Sequence, residues 1–159
     1  SYAHFDMVCS YLDAAETVAS SVVLGGKLGD NNLIEPSIYE LDDPQLSLAR
    51  EEIFGPVLSI LTVNSNDRAV FLANDTPYGL SAAVFTSSIK NAIRAARSIR
   101  AGTVTINCFG EGDISTPFGG FRQSGFGGRD NSIHAHDQYT QLKTIWIDLG
   151  DQATDDCIR

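Results

Sequence analysis

Apolar residues recur at three–four spacing near the N-terminus: Phe5, Val8, Leu12, Ala15 and Ala19, with Asp6, Asp13 and Glu16 between them. That period predicts an amphipathic helix over His4–Ser20. "SVVLGG" (21–26) reads as a short buried strand ended by Gly25 and Gly26. "NNLIEPSIYEL" (31–41) reads as an irregular extended segment, and Pro36 places it at an edge or bulge. "PVLSILTV" (56–63) is a strand. Ser65 caps a helix through "NDRAVFLAN", which "DTPYG" stops. "LSAAVFT" (80–86) is the next strand. Ser88 then caps a longer helix with the apolar stripe Ile89, Ala92, Ile93, Ala96 and Ile99, ended by Gly102. "TVTINC" (103–108) is a third strong strand. The strand–helix–strand–helix–strand order from Pro56 to Cys108 predicts an α/β layer with parallel pairing.

Residues 109–129, "FGEGDISTPFGGFRQSGFGGR", break this pattern with seven glycines in 21 residues and phenylalanines between them. The segment is too glycine-rich for a helix or strand and too aromatic for a floppy linker. Long structured loops of this kind tend to be functional. A short helix over "NSIHAHDQY" follows. "LKTIWID", within 141–148, reads as a last strand, and 150–159 as a polar tail. Apolar side chains on both faces of that last strand imply a central position or a partner's cover. A chain that opens on a helix, with no strand before it, reads as a piece of something longer.

Composition narrows the classes. A chain of 159 residues, 43% hydrophobic and 19% charged, is long enough for one domain with a real core. Its apolar runs are too short to span a bilayer. "SYAHFDMVCSYL" lacks the basic region and apolar core of a signal peptide. A net charge of −9 argues against nucleic acid and anionic membrane as partners. Lys90, Arg94, Arg97 and Arg100 form a basic helix face, read as solvated. Three cysteines, Cys9, Cys108 and Cys157, form no CxxC pair and leave one over, which favours a reduced, cytoplasmic setting. His134 and His136 stand two apart on a short helix and point away from each other, so the spacing argues against a metal pair.

"EEIFGPV" (51–57) carries the sharpest chemical question. Glu51 and Glu52 read either as a solvated pair at a strand entrance or as part of a binding turn. Phe54 is an aromatic plate, Gly55 permits close backbone approach and Pro56 fixes the turn. A carboxylate accepts two hydrogen bonds at once, which suits a vicinal diol such as ribose. A neighbouring phenyl ring offers a flat apolar wall. Together they suit a nucleoside.

Four blocks in order, "LDDPQLSLAREEIFGPV", "ANDTPYGLSAAVFT", "AGTVTINC" and "TPFGGFRQSGFGGRD", closely resemble the C-terminal part of the aldehyde dehydrogenase superfamily, over residues 5–149. "GEGD" with "TPFGGFRQSG" and "LKTIW" resembles the branch acting on amino- and gamma-glutamylamino-aldehydes. The resemblance implies an α/β fold: part of an aldehyde dehydrogenase catalytic domain over 1–149, a largely parallel sheet with flanking helices, and a terminal oligomerisation strand at 141–148. It implies NAD or NADP as cofactor, with Glu52 on the nicotinamide ribose and Phe54 beside the nicotinamide. It implies a small aldehyde as substrate, met by Phe118 and by a variable loop containing Phe109, Glu111 and Asp113 at the tunnel mouth. Asn107 matches an asparagine with a supporting role, and Glu51 carries no implied role. Glu111 and Asp113 remain either exposed loop carboxylates or attractors of a cationic substrate end.

The family's nucleophile is a cysteine in a Gly-Gln-x-Cys-type motif, which the chain lacks. Neither Cys9, Cys108 nor Cys157 matches it. The resemblance places that thiol, the general-base glutamate and the Gly-containing cofactor half upstream. It therefore implies that the chain is roughly the last third of such an enzyme and is inactive alone. The opposing reading is a non-catalytic interaction or oligomerisation module on the same scaffold. A relative that reduces acyl phosphates ranks last, because it would lack this form of "EEIFGPV".

Overall fold

A computed structural model describes residues 1–26, 28, 30–110, 112–127 and 130–150. Helix α1 spans Tyr2–Val18. Ser1 caps it, its hydroxyl accepting from the His4 amide, which satisfies one of the free N–H groups of the first turn. The helix buries Val8, Leu12 and Ala15, as its apolar period requires. These side chains pack with Tyr39, Leu41, Leu48 and Ile53 into the main core.

That core lies on a three-stranded sheet of β1 (Ser21–Leu24), β2 (Ser37–Glu40) and β3 (Val57–Ile60), in that order. β1 and β2 are antiparallel, with a register shift between Val22 and Leu24. β2 and β3 are parallel, from Ser37↔Val57 to Glu40↔Ile60. A one-turn helix, α2 (Ser47–Arg50), precedes β3. Helix α3 spans Asn66–Asn74 and α4 spans Ile89–Ser98, capped by the hydroxyls of Ser65 and Ser88 as their sequences predict. β4 (Ser81–Val84) and β5 (Thr103–Ile106) form a second, parallel pair. Helix α4 packs on both of its strands and α3 packs on α4.

Four sequence expectations change. "SVVL" is a strand but an exposed one, because β1 is an edge with β2 on one side only. "SIYE" is not at an edge: β2 is the middle strand of its sheet, and Pro36 stands just ahead of it, where a missing N–H breaks no ladder bond. β3 and β4 do not pair, so among the described residues the expected single layer is two sheets. Periodicity specifies a strand and not its neighbour. Residues 141–150 form neither helix nor strand, and Trp146 is 92% exposed. A strand exists only where a neighbour supplies hydrogen bonds, and no described residue of this chain does so there. The tail beyond residue 150, with Cys157, lies outside the described residues.

The second unit is held more by polar clasps than by core. Among its described residues Ala92 is the one buried apolar side chain, and Ile89 on the predicted stripe is 75% exposed. On the basic face Arg94 pairs with Asp67 at 2.6 Å, and Lys90, Arg97 and Arg100 are exposed. Asn74, at the end of α3, donates from Nδ2 to the Ser98 carbonyl (2.8 Å) and accepts at Oδ1 from the Arg100 amide (2.7 Å). Two backbone groups at the end of α4 are thereby tied to the end of α3. Asn74→Ala should lower stability by about 1–2 kcal/mol and remove hydrogen-exchange protection at the Arg100 amide. Unchanged protection there would show that another group holds it.

Candidate functional site

The "EEIFG" turn is built by α1. Residues at i, i+4 and i+7 share a helix face, and His4, Val8 and Tyr11 have that spacing. The Tyr11 hydroxyl donates to Glu51 Oε2 at 2.5 Å. Chiefly for that reason its phenol is held above the ordinary tyrosine value. His4 Nε2 lies 2.7 Å from the Phe54 carbonyl oxygen, so the ring must carry its proton there and donate. Val8 fills the space beside Gly55: a Cβ at that glycine would come within 2.8 Å of Val8 Cγ1. On the other flank Arg50 Nη1 reaches Gln45 Oε1 (3.1 Å) and both the carbonyl and the carboxylate of Asp75 (3.2 and 3.3 Å).

These contacts separate the two adjacent carboxylates. Glu51 is tied to α1 and Ile53 is buried in the core. Glu52 is exposed with no hydrogen-bond partner among the described residues. Phe54 is 72% exposed and takes the left-handed conformation at φ 53°. The turn therefore presents an unengaged carboxylate and a bare phenyl ring two residues apart on a pinned backbone. That pair fits a nucleoside: the acid for a diol, the ring for a heterocycle.

A separate cleft of about 1040 Å³ lies between the β4–β5 sheet and the loop after β5. The paired positions Ser81↔Thr103 and Ala83↔Thr105 place those four residues on one face of the sheet, and all four line the cleft. Phe109, Asp113 and Phe118 line it from the loop. Asn107, at φ 55°, sets the loop's departure. Its side-chain amide accepts from the Thr86 N–H (2.8 Å) and donates to the Thr86 carbonyl (3.0 Å), extending the β4–β5 ladder by one rung. Asp113 folds its own turn: Oδ1 accepts from the Ser115 amide (2.8 Å), and its carbonyl accepts from the Thr116 hydroxyl (2.7 Å). The hydrogen bonds from the Ser115 hydroxyl and amide hold its carboxyl below the usual aspartate value, so it keeps its charge in mild acid. Phe118 is anchored by a two-bond bridge to Asp130 (2.7 and 2.9 Å). The loop lies close on the sheet's end, where a Cβ at Gly102 would fall 1.7 Å from the Gly119 carbonyl oxygen.

The structure thus gathers Phe109, Asp113 and Phe118 around one cleft, which Glu52 and Phe54 do not line. Asn107 supports the loop from its root. Glu111 lies outside the described residues. Burial, then the nearby Asp13 and Asp6 carboxylates, push the Cys9 thiol up, away from the thiolate a nucleophile needs. His134 Nδ1 meets the Asp137 carboxylate at 3.8 Å, and among the described residues no three candidate ligands cluster for a metal. No helix of the described residues is long and apolar enough to cross a membrane. Sequence reasoning missed His4 and Tyr11, although their spacing along the buried stripe of α1 was a usable signal. It also missed the floor residues Ser81, Thr103 and Thr105, because small polar residues within a strand carry no signature of their own.

Comparison with known proteins assigns the lineage. The aldehyde dehydrogenase family model matches residues 1–145. The chain is 56% identical over 146 residues to aminoacetaldehyde dehydrogenase of Pseudomonas aeruginosa, covering 92% of this chain and 29% of that protein. It is 46% identical to the NADP/NAD-dependent aldehyde dehydrogenase PuuC of Escherichia coli, covering 92% of this chain and 30% of that protein. Among solved structures, an indole-3-acetaldehyde dehydrogenase complexed with NAD+ superposes with a TM-score of 0.85 at 46% identity, over 92% of this chain and 30% of the other. The chain thus spans about 30% of the length of these relatives. With its four sequence blocks, its parallel α/β pairs and this match over nearly its full length, the chain belongs to the aldehyde dehydrogenase family.

Proposed function

We propose that this chain forms the part of an NAD(P)-dependent aldehyde dehydrogenase that grips the nicotinamide end of the cofactor and borders the aldehyde entrance, with aminoaldehydes as the substrate class. The observation that carries the reading is the divided pair of carboxylates. Glu51 is spent on Tyr11, while Glu52 stands unengaged beside the exposed ring of Phe54. Glu52 accepts hydrogen bonds from the ribose hydroxyls, and Phe54 sets the plane against which the nicotinamide rests. When bound, NAD(P) supplies the hydride acceptor. The turn's task is orientation, because hydride transfer needs reacting atoms about 3–3.5 Å apart.

Phe109 and Phe118 give the aldehyde's apolar portion a wall, and Asp113, charged and exposed, attracts a cationic far end together with Glu111. The aminoacetaldehyde dehydrogenase relative supports that substrate class. The same reading includes a homo-oligomer joined through 141–148, supported by the exposed Leu142, Ile145, Trp146 and Ile147 on a segment without a strand neighbour. It also includes a cytoplasmic setting, supported by the free thiols of Cys9 and Cys108.

Three measurements test the reading. In the full-length enzyme that carries this chain, Glu52→Gln should lower kcat about 10–100-fold, whereas Glu51→Gln, which keeps an acceptor for Tyr11, should change it little. Equal losses would remove the special role of Glu52. Combining Glu111→Gln with Asp113→Asn should raise KM for aminoaldehydes more than for uncharged aldehydes of equal length. A matching rise for both classes would reject the charge-steering role. The purified 159-residue chain should oxidise no aldehyde and bind NAD weakly or not at all. Any turnover by it would overturn the assignment of the nucleophile to a part of the protein beyond this chain.

A further inference from the structure

We infer that His4 is a positioning residue for the hydride-transfer geometry, acting through the backbone of Phe54. This rests on the nicotinamide-clamp reading of Glu52 and Phe54. A phenylalanine seldom adopts left-handed backbone, because its Cβ crowds the following carbonyl. Phe54 holds φ 53°, so its surroundings must over-determine the conformation. Behind it, Gly55 is wedged against Val8. Ahead of it, Glu51 is fixed by Tyr11. At the residue itself, no backbone N–H among the described residues donates to the Phe54 carbonyl, and the His4 ring does so at 2.7 Å.

Releasing that bond removes the polar restraint on the peptide plane between Phe54 and Gly55 and lets it tilt. The phenyl ring and the neighbouring Glu52 carboxylate sit on the same few backbone bonds, so the tilt shifts both. The rail is stiff because all three contacts come from one face of a capped, core-packed helix. His4 itself is exposed and is not part of the buried core cluster, so removing its donor alters the turn more than the fold. Nε2–H donates from the neutral ring in one tautomer and from the protonated ring as well.

The experiment compares His4→Phe, which keeps a ring and loses the donor, with His4→Gln, whose amide nitrogen can occupy the place of Nε2. Both are made in the full-length enzyme, assayed with NAD and with an aldehyde carrying deuterium or protium on its carbonyl carbon. His4→Phe should lower kcat about tenfold and enlarge the deuterium isotope effect, since misplacement burdens the hydride step itself. His4→Gln should restore both. The isotope effect is read per turnover, so loss of folded enzyme alone cannot produce it. Glu52→Gln, run in parallel, separates the role of His4 from that of the clamp. If it enlarges the isotope effect while His4→Phe does not, the positioning role of His4 is overturned and the clamp reading stands. If neither does, the clamp reading falls and the inference with it. A slow His4→Phe enzyme with an unaltered isotope effect, or no rescue by glutamine, also overturns the inference.

Discussion

The grip of α1 on the turn before β3 is the constraint on which the rest of the candidate site depends. One helix face supplies a hydroxyl to Glu51, an aliphatic wedge to Gly55 and a ring N–H to the Phe54 carbonyl. The hydroxyl is what distinguishes two chemically identical neighbours. A carboxylate that already accepts a hydrogen bond from a phenol is held in one orientation. The next acid along the chain, left without a partner, can meet a ligand's hydroxyls without first breaking an internal bond. The same helix buries Val8, Leu12 and Ala15 in the main core, so the energy that folds the unit also holds the turn in place. Placement of the turn is therefore a by-product of ordinary hydrophobic packing.

The cleft half is organised differently. Around β4, β5 and α4 the side chains are small, with Ala82, Ala83, Ala92, Ala95 and Ala96 among them, and little apolar surface is buried. Side-chain amides and a guanidinium hold it together. Asn74 ties α3 to α4, Asn107 adds a rung beyond the β4–β5 ladder, and Arg122 donates to the carbonyls of Asn74 and Thr76 at the end of α3. Such bonds are directional where hydrophobic contact is not. They fix the angle at which the Gly- and Phe-rich loop leaves the sheet, and hence where Phe109 and Phe118 stand.

Helices were the most legible part of the sequence. Ser65 and Ser88 each begin a helix at the expected residue, and the α1 stripe is buried where its period places it. The strands at Ser21, Val57, Ser81 and Thr103 form where their residues predict them, whereas "LKTIWID" forms none, and strand surroundings were not legible. "SVVL" reads as buried from its composition and lies exposed at an edge. "SIYE" reads as an edge from the neighbouring Pro36 and is central. Both errors share a cause: burial of a strand depends on what lies over and beside it, which its own residues do not encode. In the site, the family resemblance pointed to Glu52 and Phe54. The residues that hold the turn around them, His4 and Tyr11, lie about forty to fifty positions earlier. No local pattern connects residues so far apart; only the fold does.

Left-handed residues mark the same boundary between structure and chemistry. Among the non-glycine cases, asparagines account for Asn31, Asn32, Asn107 and Asn131, and asparagine tolerates that conformation. Of the other three, Ser132 caps the turn that follows it with its own hydroxyl, whereas Phe54 and Arg122 are each tied by a polar contact to a distant element. The Phe54 carbonyl accepts from α1, and the Arg122 guanidinium reaches the end of α3. Strained backbone persists only where surrounding groups leave it no alternative. In this chain one such residue carries the exposed ring of the candidate site and the other lies within the loop that borders the cleft. Two of the fold's long-range hydrogen bonds thus act where the backbone would otherwise relax, one at the candidate clamp and one in the loop beside the cleft.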